Sequence, residues 1–124
     1  MNTPVTEQQA RQVGVWRNIW YVAWPTRRDY CFTFEHDGAG WTIYINNSPN
    51  YGNRASGSIE THRLDISGRP YICWNQAIPT ISQAQGVAAL WADSTENYIA
   101  TGFFRPAAGR PVVQDRTVLN GYPA

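Results

Sequence analysis

Residues 16–24 read "WRNIWYVAW", with tryptophan at 16, 20 and 24 and Pro25 closing the run. The spacing alone does not choose a conformation. Four residues advance a helix by about 400°, so the rings drift slowly along one stripe. Four is also even, so on a strand the rings share one face. Composition decides, because Trp16, Ile19, Trp20, Tyr21, Val22 and Trp24 are strand formers and Gly14 and Pro25 bracket them as breakers. The reading is a strand with Trp16, Trp20 and Trp24 on one face and Val15, Ile19 and Tyr21, with Arg17, on the other. Two apolar faces predict a central strand with a helix covering one side.

The rest of the fold follows outward from this strand. Upstream, residues 3–13 suggest a short helix, with Thr6 as N-cap, Gln9 as its reciprocal partner and Gly14 as the stop. Downstream, "YCFTFEH" (30–36) and "WTIYIN" (41–46) alternate in period two around Asp37-Gly38-Ala39-Gly40, which predicts a hairpin. Residues 47–57 form a long polar loop, and its length marks it as mobile or functional. "SIETHRLDI" (58–66) and "PYICW" (70–74) suggest a second hairpin through Ser67-Gly68-Arg69, its first strand polar enough for a sheet edge. Thr80 and Gln83 make a capping box for a helix over 80–101. Ile81, Ala84, Val87, Ala88, Trp91, Thr95 and Tyr98 recur there at helical spacing, with Leu90 beside them. Gly86 weakens this helix, and a break near Asp93-Ser94 is conceivable because Ser94 or Thr95 can cap a new turn.

The expected fold is α+β: an antiparallel meander of about five strands packed on one main C-terminal helix, with a short N-terminal helix. Residues 1–104 read as a single domain, and 105–124, rich in proline and glycine, as a semi-ordered arm in which Val112, Val113, Val118 and Leu119 have strand character.

Bulk composition narrows the function classes. The chain has 124 residues, enough for one core without disulfides or a metal. Only 15% of residues are charged while 14% are aromatic, which suggests that some surface is covered by a partner or a second copy. A net charge of +1 argues against broad nucleic-acid binding, which needs a basic field. Every basic residue is arginine, the cation suited to flat, partly dehydrated contacts. Cys31 and Cys73 belong to no metal-ligand spacing with His36 and His62, so no metal or other cofactor is expected. The polar N-terminus and the absence of a long apolar run predict a cytoplasmic protein with reduced thiols and no membrane association.

Three sets of residues are candidates for a site. Glu60, His62 and Arg63 supply the residue types of acid–base phosphodiester cleavage. On a strand Glu60 and His62 share a face while Arg63 points away, so the set converges only if the strand bulges. Glu35-His36-Asp37 sits at the first hairpin, where turn polarity is the simplest account. Aromatic and arginine side chains form the third set: Trp16, Trp20, Trp24, Tyr44 and Tyr71, with Arg17, Arg27 and Arg28, and the loop residues Tyr51 and Arg54. Such side chains anchor protein contacts and also stack on bases or sugars. The leading expectation is a small non-catalytic protein-binding protein, accessory or inhibitor-like as in bacteria and their mobile elements, acting through an aromatic- and arginine-rich surface and able to self-associate. The rivals are a small hydrolase or ribonuclease-like enzyme using Glu60 and His62, and a binder of ligands or single-stranded nucleic acid through sheet aromatics.

Overall fold

A computed structural model describes residues 14–111. The helix expected over 3–13, and the arm beyond residue 111, lie outside the described residues. The elements are β1 (Val15–Val22), β2 (Asp29–His36), β3 (Trp41–Ile45), a one-turn helix α1 (Ser58–Thr61), β4 (Arg63–Ile66), β5 (Arg69–Ile72) and α2 (Ile81–Thr101). The strands form one antiparallel sheet in the order β1-β2-β3-β5-β4. The first three run as a meander, and the final hairpin docks by its second strand, leaving the polar β4 on an edge as expected. α2 packs across one face of the sheet. The fold is the expected α+β two-layer architecture, with the short described helix placed before β4.

β1 is a strand, but it is an edge strand, and its tryptophans do not share a face. Trp16 is registered with Phe34 and Ile19 with Phe32, so three steps on β1 match two on β2. The extra residue is a β-bulge. Asn18 takes it up at φ 57°, a left-handed conformation that asparagine tolerates better than most residues. Its side chain is held there by a bond from Asn46 Nδ2 at 3.3 Å. The bulge reverses the alternation: Trp16, Ile19 and Tyr21 all turn toward α2 and are buried, while Trp20 stands on the opposite face, 44% exposed. Strict period two therefore fails at one position, and with it the expected tryptophan face.

The layer between sheet and helix is built mainly from Trp16, Ile19, Tyr21, Tyr30, Phe32, Phe34, Ile43, Ile45 and Ile72, facing Ile81, Ala84, Val87, Ala88, Trp91 and Ala92. Trp91 meets the rings of Tyr30 and Phe32 edge-on, at centroid distances of 5.7 and 6.2 Å. Its indole Nε1 donates to the Thr61 carbonyl at 2.9 Å, so the largest side chain of α2 is both packed and satisfied. Small residues at 84, 88, 89 and 92 let the helix approach the aromatic sheet closely.

α2 starts as expected, with the Gln83 amide donating to the Thr80 hydroxyl at 3.1 Å. It shows no break at Asp93-Ser94: both residues are buried within a continuous helix. It ends at Gly102, whose φ of 90° and bond to the Tyr98 carbonyl form a left-handed cap. Gly40 is required for a different reason: a Cβ there would lie 3.1 Å from the backbone N and O of Ile78. That close approach accompanies the bond from Trp41 N to Ile78 O at 2.9 Å.

The bulge gives a direct test. Asn18→Gly keeps the left-handed geometry and is expected to change stability by less than about 1 kcal/mol. Asn18→Val places a β-branched residue at positive φ and is expected to cost about 2 kcal/mol or more in urea unfolding. Equal stability of the two variants would remove the bulge from this account.

Candidate functional site

The Glu60, His62 and Arg63 set does not assemble on a strand face. Residues 58–61 form a helical turn instead of extended chain, closed by the Thr61 amide and hydroxyl, which both bond the Gly57 carbonyl. His62 follows in the left-handed region at φ 53°, and β4 begins only at Arg63. The His62 ring stacks on Phe104 at 4.2 Å. Arg63 turns elsewhere, bonding Thr61 Oγ1 and Ser48 Oγ and lying over the Tyr51 ring at 4.8 Å. Among the described residues no hydrogen bond or ion pair joins Glu60, His62 and Arg63 to one another. A threonine closing a local turn overrides the strand pattern here.

Tyr51 and Arg54 are tied into the fold. Tyr51 is buried, its ring edge against Tyr98 at 6.2 Å, and burial pushes its phenol above the ordinary value of 10.0. Arg54 donates to the carbonyls of Ile99 and Ala100 at 3.2 and 3.1 Å, so it caps α2. The Tyr98 hydroxyl donates back to the Ala55 carbonyl at 2.6 Å. The long loop thus clamps the helix end. Glu35-His36-Asp37 is turn chemistry: Asp37 Oδ1 accepts the amides of Ala39 and Gly40, His36 Nδ1 accepts that of Gly38, and Glu35 pairs with Arg69. Among the described residues no group of three or more His, Cys, Asp or Glu could hold a metal ion. Cys31 is buried and Cys73 exposed, and neither is in a disulfide.

The most heavily bonded polar cluster is one that sequence reasoning missed. Asp93 and Glu96, one helical turn apart on α2, are both buried against the sheet. They face Tyr21 and Tyr30, which are register partners on β1 and β2. The Tyr21 hydroxyl lies 3.0 and 2.9 Å from the two oxygens of Asp93, and the Trp24 amide donates to Oδ1 at 2.7 Å. Arg110 Nε completes this group at Oδ2. Glu96 accepts from the Thr26 hydroxyl at 2.7 Å, from the Tyr30 hydroxyl and from Arg28 Nε at 3.0 Å. Burial first, then the bond to Glu96 and its charge, hold the Tyr30 phenol far above its usual range. Each carboxylate is thus held by a phenol, an arginine and one further donor. The signal was legible in spacing: Ala89–Asp93 and Ala92–Glu96 continue the buried stripe at intervals of four.

The sheet face away from α2 has no covering element among the described residues. Trp20 at 44%, Leu64 at 41% and Ile66 at 48% exposure lie on it, with Tyr44 and Tyr71 half-buried between them. Tyr44 and Tyr71 are cross-strand partners with ring centroids 6.1 Å apart. The Arg69 guanidinium carbon lies over the Tyr44 ring at 3.6 Å, and Arg69 bonds Glu35 at 3.0 Å. The bulge is what puts Trp20 here. Trp16 belongs to the core, and Trp24 stands past the strand end beside Gly109, so of the three tryptophans only Trp20 takes part in this surface. No helix among the described residues is long and apolar enough to cross a membrane. No protein family, curated protein or solved structure matches this chain.

Two predictions follow from the buried cluster. Asp93→Ala removes the buried carboxylate that Arg110, the Tyr21 hydroxyl and the Trp24 amide all bond, and is expected to cost about 3–5 kcal/mol in urea unfolding. A loss under about 1 kcal/mol would contradict the assigned network. Tyr30 and Tyr51 keep their protons in the folded state above the pH at which the unfolded chain releases them, from 10.0 upward. Their contribution is therefore complete below that pH and falls as pH rises past it. Unfolding free energy followed from neutral to strongly alkaline pH is expected to decline above about pH 10, and less steeply in Tyr30→Phe.

Proposed function

We propose that this is a non-catalytic protein-binding protein whose contact surface is the open face of the sheet, and that the partner seated on it is a second copy of the chain. The observation that carries the reading is the grouping of Trp20, Leu64 and Ile66 around Tyr44, Tyr71 and Arg69 on one face that no described element covers. Aromatic rings with a planar arginine are the side chains that dominate binding energy at protein contacts. The charge on this face favours a like surface. Arg69 and Glu35 neutralise each other at 3.0 Å, so two copies meet without repulsion. Two such sheets can pack face to face with interdigitating side chains. The same pairing weakens the nucleic-acid alternative, because Arg69 is already engaged by a carboxylate and a ring instead of being available to phosphate.

Light scattering on a sizing column at increasing protein concentration tests this. The expected result is a mass rising to twice the 14.0 kDa of one chain. Trp20→Glu and Leu64→Glu are each expected to weaken self-association by roughly tenfold or more with an unchanged circular dichroism spectrum. A 14.0 kDa monomer at every concentration, or a dimer indifferent to both substitutions, would overturn the reading.

A further inference from the structure

A second feature lies beside the sheet. After Ile72 the chain leaves β3 and returns to it only at Ile78, whose carbonyl accepts from Trp41 N at 2.9 Å. Residues 73–77 bow outward between these two points. The gap is a cavity of about 300 Å³, at the lower end of the size range of small-ligand pockets. Its lining includes three aromatic residues, Trp41, Tyr71 and Trp74, and four polar ones, Asp37, Thr42, Asn75 and Gln76. Trp74 is 46% exposed, a large apolar ring that the core does not use. A second groove of about 490 Å³ opens beside the same ring, toward Leu90 of α2.

The lining selects a chemistry. Among the described residues it contains no arginine, and the chain contains no lysine, so no described residue of the wall compensates a phosphate. Among the described residues that line it, the charged one is Asp37, held below the usual carboxylate range by the amides of Ala39 and Gly40, and it repels anions. A carboxylate and two planar amides offer paired acceptors and donors, the geometry that vicinal hydroxyls satisfy two at a time. A broad indole face matches the apolar C–H face of a sugar ring. Trp41 also borders the cavity, and its buried indole N–H has no acceptor among the described residues.

We propose that the cavity between β3 and residues 73–78 is a binding site for one neutral sugar ring, stacked on Trp74 and hydrogen-bonded by Asp37, Asn75 and Gln76. The sugar is a free monosaccharide or the end of a neutral glycan. This site shares Tyr71 with the self-association surface, but its lining comes from one chain and needs no second copy to form.

Saturation-transfer NMR with glucose, galactose, mannose and N-acetylglucosamine tests the site, with adenosine and glucose 6-phosphate as comparators. At least one neutral sugar is expected to bind, with glucose 6-phosphate binding less well than glucose. Trp74→Ala, an exposed position, is expected to weaken the bound sugar at least about tenfold, and Asp37→Asn and Asn75→Ala to weaken it as well. Ile59→Ser, on an exposed side chain outside the cavity, is expected to leave binding unchanged. Absence of transfer to all four sugars would overturn the proposal. So would binding indifferent to Trp74→Ala, or Trp74-dependent binding of adenosine in preference to every sugar.

Discussion

Two carboxylates buried between the helix and the sheet set the terms for the rest of this molecule. Asp93 and Glu96 enter an apolar layer, and an unpaired charge there costs several kcal/mol. The structure therefore has to bring donors to them from three places: Tyr21 and Tyr30 from the sheet, the 24–28 turn, and Arg110 from beyond the helix. These demands fix how α2 lies on the sheet. Tyr21 and Tyr30 are adjacent because β1 and β2 pair in one register, and Asp93 and Glu96 are adjacent because a helical turn separates them. Sliding the helix by one turn would set one acid opposite the other's phenol and leave the second acid with none. Apolar packing is less selective, since Ala84, Ala88 and Ala92 would fit against the same rings at several offsets.

The same register depends on one irregular residue. Without the extra position at Asn18, Tyr21 would point away from α2 and the Asp93 cluster would lose its phenol. The bulge thus serves the buried charges on one side of the sheet and the exposed surface on the other, because the reversal that buries Tyr21 also delivers Trp20 to the open face. Bulges are common on edge strands, where they also discourage further strand addition. A sheet whose edge is bulged and whose outer face is aromatic is suited to contact through the face more than through the edge.

Much of the architecture was legible from the residues. Period-two alternation found the first hairpin, the capping box at Thr80 and Gln83 found the start of α2, and the polar strand before Ser67 was placed at an edge. The failures have a common cause. Asn18, His62 and the 58–61 turn depend on side-chain bonds to backbone or to distant residues, and local pattern carries little trace of those. Tyr51 and Arg54 have the composition of an interaction loop, yet the end of α2 lies within their reach and takes both. Asp93 and Glu96 were passed over because acidic residues on a helix usually face water. Nothing at 93 or 96 shows in advance that Tyr21 and Tyr30, some seventy residues earlier, will be opposite.

By itself, then, the sequence determined the class of fold: alternation and helical spacing are local properties, and burying apolar side chains in a chain of this size leaves one sheet and one long helix as the economical arrangement. It also supplied the aromatic and arginine side chains, without showing which of them would be exposed. Which tryptophan is core and which is exposed was decided only by the tertiary structure. One added residue at Asn18 inverts every later position of β1, and whether the chain accepts it depends on partners that the strand meets only after folding.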